Sequence, residues 1–396
     1  MNNIKAPSKR ILALDVLRGF TIAGMIMVNN PGDGLHVFTP LDHAEWIGLT
    51  PTDLVFPFFM FIMGVSTYIS LRKYDFKPSR SAVIKILRRT VVIFLIGLLI
   101  GWFARFCRYW HQSAADIPFG TQLVEAVFNF DHARILGVMA RLALCYGFTA
   151  MLALTIKHKY FPWLIATLLG GYFAMLLMGN GFVHGEENIL SIVDRHVFTP
   201  DHMLSDGGID PEGVLSTIPA IAHTMIGFLV GGMMFKPEKE GTTHEQHLWN
   251  LITRLFLIGT PLILAGWLLS YGCPVSKKIW SPTFVLITTG MASCLLALSI
   301  YVIDVKGHRS WCRFFEAFGV NPLFMYVFGD FVAILFGAIF FMVGGKEMNI
   351  TQFFYSQIYE PVFGCKMGSL VYALIFILLN WVVGYQLYKR KIYIKI

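Results

Sequence analysis

The sequence predicts an all-α, polytopic integral membrane protein: one helical bundle of about ten transmembrane helices spanning residues 1–396 as a single domain, with both termini cytoplasmic. Three observations carry that prediction. Hydrophobic residues fill 56% of the positions and charged residues 14%, against roughly 25% charged in a soluble chain. Too little polar surface remains to cover a water-soluble globule. Apolar runs of about 20 residues, the length that crosses a ~30 Å hydrocarbon layer, recur from end to end. Lys and Arg divide unequally between alternate connections, 22 against 8, and the positive-inside rule places the basic side in the cytoplasm.

The expected spans are 11–28, 52–71, 84–103, 135–156, 161–178, 216–235, 252–271, 283–303, 319–343 and 369–388. The first follows a basic start, as a signal peptide does, but it lacks a small-x-small cleavage site and carries Asp15 and Arg18, so it reads as a retained helix. The second opens on Thr52 or Asp53 as a cap. A basic segment, 72–89, leads into the third, and Arg141 lies inside the fourth. Lys157 and Lys159 mark the short turn into the fifth. The sixth follows Asp210-Pro211-Glu212-Gly213, which reads as a turn and helix start with acid near the positive dipole end. The seventh and eighth are long apolar runs, the ninth carries Asp330, and the tenth ends in a basic tail.

The net charge of +8 sits in short segments between apolar runs, not on a continuous face or arm. It therefore reads as topology, and nucleic acid is not an expected partner. The six cysteines form no C-x-x-C pair and no Cys/His zinc spacing, so no metal is expected. Cys145 and Cys294 fall in apolar runs, while Cys107, Cys273 and Cys365 fall in outward segments and leave one disulfide open. The long connections are the outward ones. They hold most of the histidines, including His36, His43, His111, His132, His184, His196 and His202, so function is expected to face outward. No internal repeat is visible.

The first outward segment, from Asn29 to Asp53, concentrates carboxylates, amides and an imidazole between two membrane helices. An imidazole can accept a proton from an attacking amine or hydroxyl at neutral pH, and Asp42, Glu45 or Asp53 can orient it. His43 is the first catalytic candidate. The plain alternative, an ordinary polar loop with a helix cap, carries equal weight on local sequence alone.

The runs LDVLRGF from Leu14, MVNN from Met27 and HAEWIGLTPTDLVFPFFMFIMG from His43 resemble the opening of the heparan-α-glucosaminide N-acetyltransferase family. RILGVMARLALCY from Arg134, DPEGVLSTI from Asp210 and GVNPLFMYV from Gly319 are similar to the same family, so the resemblance extends over most of the chain. It implies a transmembrane acetyltransferase that moves acetyl from cytosolic acetyl-CoA to an amino sugar or related glycan on the non-cytosolic side. By resemblance, His43 stands in the family's catalytic histidine position and Asn29 in its V-N position. Where the family continues VNYGGG, this chain reads VNNPGDG from Val28, which leaves the acceptor's identity open. The chain looks like the compact bacterial branch, whose expected address is the bacterial inner membrane.

Acyl transfer needs a base for the nucleophile and a donor for the developing oxyanion, and Asn29 fits the second role. Asn also tolerates a helix C-terminal cap, with which that role is compatible. The catalytic set is thus His43, Asn29 and Asp53. Asp15 and Arg18 lie three apart on one helix face and can pair, and Arg18 can equally meet a coenzyme phosphate at the cytoplasmic mouth. Arg134 and Arg141 lie seven apart on one face, with Arg141 about 10 Å deeper, lining a cavity as Asp330 is also expected to do. Arg18, Arg141 and Arg134 are the coenzyme candidates. The acceptor candidates are Asp42, Glu45, Trp46, Asp210 and Glu212. Other tryptophans near span ends read as interface belts. Expected partners are acetyl-CoA, the glycan acceptor, membrane lipid and a second copy of the chain. A secondary transporter of a small polar or anionic solute is the competing reading, against which stands the lack of pseudo-symmetric halves. A scaffold without chemistry is disfavoured by the charges inside spans.

Overall fold

The computed structural model describes residues 11–113, 117–128, 130, 133–204, 206–236 and 241–394, so the basic start of the chain and His132 lie outside the described residues. Helix α1 (Leu12–Asn29) and helix α2 (Pro51–Arg72) run antiparallel, with Arg18 near the start of one donating to Ser66 Oγ near the end of the other at 2.8 Å. Pro51 takes the first turn of α2, where no N–H is missed, and the cap is Thr50, with Asp53 as its reciprocal partner. The expected cap at Thr52 or Asp53 is thereby corrected to Thr50. Helix α3 (Arg80–Gln112) starts at Ser79, whose hydroxyl accepts from the Ala82 N–H, and is followed by the short α4 (Phe119–Phe128). Helix α5 (Val138–Thr155) begins three residues later than the apolar run, because the Ile135 N–H is held by His202 O at 3.1 Å.

Helices α6 (Phe161–Met178), α7 (Ile189–Phe198), α8 (Thr217–Met234), α9 (His244–Leu269) and α10 (Pro282–Ser299) follow, the last continuing through a π-helical turn, Ile300–Val305. Helix α8 starts beyond the Asp210–Gly213 turn, not at it. The expected ninth span, 319–343, is an α-helix only over α12 (Pro322–Ala338), and a further helix, α11 (Cys312–Gly319), precedes it at a bend of 86°. Pro322 cannot continue the preceding helix. Asn321 at the break donates to Ile392 O and accepts from the Ile394 N–H, both at 2.8 Å. The end of that span, expected to stay helical to 343, is instead a hairpin of β1 (Phe340–Val343) and β2 (Lys346–Asn349), turned by Gly344 and Gly345, both at positive φ. Short helices α13 (Ile350–Phe353) and α14 (Glu360–Phe363) lead to the long α15 (Cys365–Lys389).

Among the described residues, eight helices are long and apolar enough to cross a membrane, and the bent pair makes a ninth. Helix α3, with 33 residues, carries the remaining run: between Thr90 and Cys107 its sole charge is Arg105, and its Leu95 and Leu99 stand exposed where lipid would cover them. The all-α polytopic class is what the structure contains. Close backbone approach sets the central packing. A Cβ on Gly64 would fall 2.1 Å from Thr224 O and one on Gly227 2.2 Å from Phe61 O, so α2 and α8 touch through small residues, as membrane helices without a hydrophobic driving force do. The bundle thus has a basic end, where α2 hands over to α3, and a loop end, where the segments before α2, α8 and α10 meet.

Candidate active site

The loop joining α1 to α2 is fastened at several points before any chemistry is considered. Asp33 and Gly32 hydrogen-bond to Ser369 of α15, the Gly48 N–H to Val275 O at 2.8 Å, and Trp46 Nε1 to Phe182 O at 2.9 Å. Trp46 also stacks on His184, ring centres 4.4 Å apart. A loop tied to one helix and two other loops holds its side chains in one arrangement.

His43 projects from this loop with its side chain about half exposed, and its Nδ1 lies 2.6 Å from Asp53 Oδ1. Asp53 is buried to 1% exposure in the first turn of α2. Its Oδ2 accepts from the Ala44 N–H, the Thr50 N–H and the Thr50 hydroxyl, each at 3.1 Å. The carboxylate is therefore immobile, and it fixes the imidazole with Nδ1–H toward Asp53 and Nε2 open to accept a proton. Lys277, from the loop before α10, completes the group: its Nζ lies 3.1 Å from His43 Nδ1, 3.4 Å from Nε2 and 3.5 Å from Asp53 Oδ1. Burial pushes the Lys277 ammonium below the usual lysine range, with the charges of Asp53 and Glu212 opposing.

Glu212 links this group to a second one. Arg134 reaches Asp210 through Nε at 3.2 Å and Nη2 at 2.5 Å, and Glu212 through Nη2 at 2.5 Å. Burial acts to raise the Glu212 carboxyl, but Arg134, Arg141 and Lys277 together hold it below the usual range. Arg141 is fully buried, donates to Ser216 Oγ and to Gly213 O, and lies over the Trp280 ring at 5.1 Å, while its Nε and Nη1 have no partner. Beneath Gly213, the buried Asp194 accepts the Val214 N–H on Oδ1 at 2.8 Å, and burial lifts its carboxyl to about 6.

A different, partly open cavity lies toward the basic end. Arg18, Arg89, Ser66 and Thr67 form its polar part, and Phe59, Met63 and Leu142 belong to its apolar wall. Arg18 pairs with Asp15 at 2.8 Å. Arg89 lies over the Tyr146 ring at 4.7 Å and, among the described residues, has no carboxylate partner.

The structure thus brings together His43 and Asp53, and separately Arg134, Asp210 and Glu212. Asp42 supports the loop, its Oδ1 accepting the His43 N–H at 2.8 Å and its carbonyl the Thr50 hydroxyl at 2.7 Å. Glu45 stands exposed, and Asn29 ends α1 exposed with no hydrogen bond to His43 or Asp53. Of the three coenzyme candidates, Arg18 alone lines the basic-end cavity; Arg141 is sealed in the bundle beneath the loop-end group and Arg134 belongs to that group. Asp330 neighbours Tyr326 one turn back on α12. The six cysteines are all free, so Cys107, Cys273 and Cys365 form no disulfide. Sequence reasoning missed Lys277 and Arg89. Lys277 had no signal beyond being one of few basic residues in the outward segments, and Arg89 was hidden among seven basic residues in 72–89.

Fold and site define a polytopic helical membrane protein with a fixed histidine–carboxylate pair at one end and an arginine-lined cavity toward the other. Residues 10–121, which take in α1 to α3 and the His43 loop, match the family model described as heparan-alpha-glucosaminide N-acetyltransferase, catalytic. Two curated proteins named heparan-alpha-glucosaminide N-acetyltransferase are similar over most of the chain. The human one is 25% identical over 380 residues, covering 82% of this chain and 53% of its own length, and the Mus musculus one is 24% identical over 376 residues, covering 82% and 54%. A Bacillus acidopullulyticus protein named "Uncharacterized 39.9 kDa protein in amylase 3'region" is 32% identical over 100 residues, 24% of this chain and 28% of its own. The chain spans about half the length of the two curated acetyltransferases it matches. The resemblance carried by the opening motifs is to this family, as both the family model and the relatives have it.

Proposed function

We propose that this chain is a transmembrane N-acetyltransferase, using acetyl-CoA from the basic, cytoplasmic side and acetylating an amino sugar or related glycan on the other side, in a bacterial inner membrane. The observation that carries the reading is the His43–Asp53 pair at 2.6 Å, at the loop end and inside the segment that matches the acetyltransferase model. Asp53 keeps Nδ1 protonated, leaving Nε2 to take the proton from the acceptor amine as nitrogen attacks the thioester carbonyl. The C–S bond then breaks, and the thiol leaves with that proton. The exposed Glu45 gives the acceptor side a carboxylate suited to an ammonium-bearing sugar before it loses its proton, while Asp210 and Glu212, proposed for the same side, are engaged by Arg134. Asn29 is the amide assigned to the developing oxyanion.

At the other end, Arg18 and Arg89 are the groups assigned to the coenzyme's phosphates. Arg89 has guanidinium hydrogens to spare, and charge-assisted bonds to phosphate are among the strongest a side chain makes. The apolar wall from Met63 to Leu142 suits the pantetheine arm. One observation also suits a carrier: the 86° break between α11 and α12 resembles the discontinuous helices of transporters. Protein in nanodiscs, given labelled acetyl-CoA and a glucosamine-ended oligosaccharide, separates the two. The acetyltransferase reading expects acetylated sugar that is lost in His43→Ala; solute flux in proteoliposomes without any acetylated product would replace it by the carrier.

A further inference from the structure

The position of Lys277 has a chemical consequence that acceptor turnover does not use. We infer that Lys277 is an internal acetylation site: when no acceptor is present, the acetyl group of the donor passes to its Nζ and forms a stable amide. The inference rests on the acetyltransferase reading above.

The geometry is that of a nucleophile already in place. Lys277 Nζ sits 3.1 and 3.4 Å from the two ring nitrogens of His43, beside the group proposed to take a proton from an attacking amine. Its side chain is only 19% exposed, and a desolvated lysine has more of the neutral, nucleophilic amine than one in water. The loop that presents it is fixed, with the Trp280 N–H on Lys277 O and the Ser281 N–H on Ser276 O, both at 3.0 Å. Lys278, one residue on, is engaged elsewhere by Asp206 at 2.6 Å. Neighbouring lysines in one loop thus face different fates.

The balance needs no further reagent. The neutral amine attacks the thioester carbonyl, the N–C bond forms, and one amine proton passes to His43 Nε2. The C–S bond breaks, and the proton returns to the departing thiolate, giving acetyl-lysine and free coenzyme A. The product has no positive charge, so it gives up the ion pair with Asp53. An amide is not a thioester, and nothing in the site reverses it. An idle enzyme therefore blocks itself, and a bound acceptor protects it by intercepting the acetyl group.

The test is incubation of the purified full chain with ¹³C-labelled acetyl-CoA, with and without a glucosamine-ended oligosaccharide, followed by mass spectrometry of the peptide containing Lys277 and Lys278. The expected result is label at Lys277 exceeding that at Lys278 by at least tenfold, suppressed by excess oligosaccharide and reduced about 100-fold in His43→Ala. Lys277→Arg, which keeps the charge, should carry no label at 277 and should outlast the wild type during preincubation with donor alone. Acetylated oligosaccharide with no label at Lys277 overturns the inference and leaves the acetyltransferase reading standing. Label spread equally over both lysines and unchanged in His43→Ala shows uncatalysed acetylation by the thioester and also overturns it. Neither labelled protein nor acetylated oligosaccharide removes the acetyltransferase reading, and the inference with it.

Discussion

The two ends of the bundle treat charge in opposite ways. At the loop end, Asp53 takes three hydrogen bonds on one oxygen and His43 on the other, and Arg134 is shared by Asp210 and Glu212. At the basic end, Arg89 rests on the Tyr146 ring and, among the described residues, has no carboxylate beside it, in a cavity it shares with Arg18. At Asp53 and His43 the first arrangement is satisfied without a ligand and suits chemistry, because a base must be fixed in position and in tautomer before substrate arrives. The second leaves Arg89 Nε without a hydrogen-bond partner and suits binding, because a guanidinium gains most from an anion when no carboxylate already pairs with it. The contrast assigns turnover to one end and donor affinity to the other, so substitutions should divide the same way.

The largest effect belongs to Asp53. Asp53→Asn keeps the shape but no longer favours the Nδ1–H tautomer of His43, and transfer should fall about 10²–10⁴-fold with donor affinity unchanged. Acetyl transfer measured beside equilibrium coenzyme binding checks this, and a matching loss of binding would erase the division between the ends. Arg134→Ala should act on stability, because it strands two buried carboxylates, a change that typically costs about 3–5 kcal/mol. The readout is the unfolding midpoint in detergent. A folded, stable Arg134→Ala would mean that Asp210 and Glu212 are solvated in the working protein.

Donor binding supplies the next effect. Arg89→Ala removes a charge-assisted contact of about 1.5–3 kcal/mol and should weaken coenzyme binding roughly tenfold to a hundredfold, with turnover at saturating donor little altered. A fall in saturated turnover with affinity intact would move Arg89 out of the binding role. Asp194 gives the smallest effect and the one with a pH signature. Its carboxyl is raised to about 6, so the stability linked to its protonated form is complete below about pH 4 and is lost as pH rises through 6. Asp194→Asn should therefore stabilise the fold at pH 7.5, by roughly 3 kcal/mol at most, seen as a raised melting midpoint, and leave the midpoint unchanged near pH 4. An equal shift at both values would show that the titration is not the cause.

The part of this contrast that was legible in the sequence is the part made of neighbours. Apolar runs located the helices because membrane burial needs length and composition, both of which are local. His43 and Asp53 are ten residues apart, and the Thr50–Asp53 capping pair that turns the chain into α2 also sets the carboxylate beneath the imidazole. Lys277 reaches the same point across 234 positions and Glu212 meets Arg134 across 78, separations that no local pattern encodes. Arg89 was counted as topology because a basic residue at a cytoplasmic helix start has that use regardless of what its side chain touches. The bend before α12 did leave a sign, Asn321-Pro322 at the start of the expected ninth span, which apolar averaging passed over.

The most direct test of the division between the ends is vectorial transfer in sealed proteoliposomes, with protein oriented by its basic end outward, acetyl-CoA outside only and a glucosamine-ended oligosaccharide trapped inside. Acetylated sugar inside the vesicles, abolished by His43→Ala while the variant still binds coenzyme from outside, is the predicted result. Acetylation confined to oligosaccharide added on the coenzyme's own side, or transfer that survives His43→Ala, would contradict it.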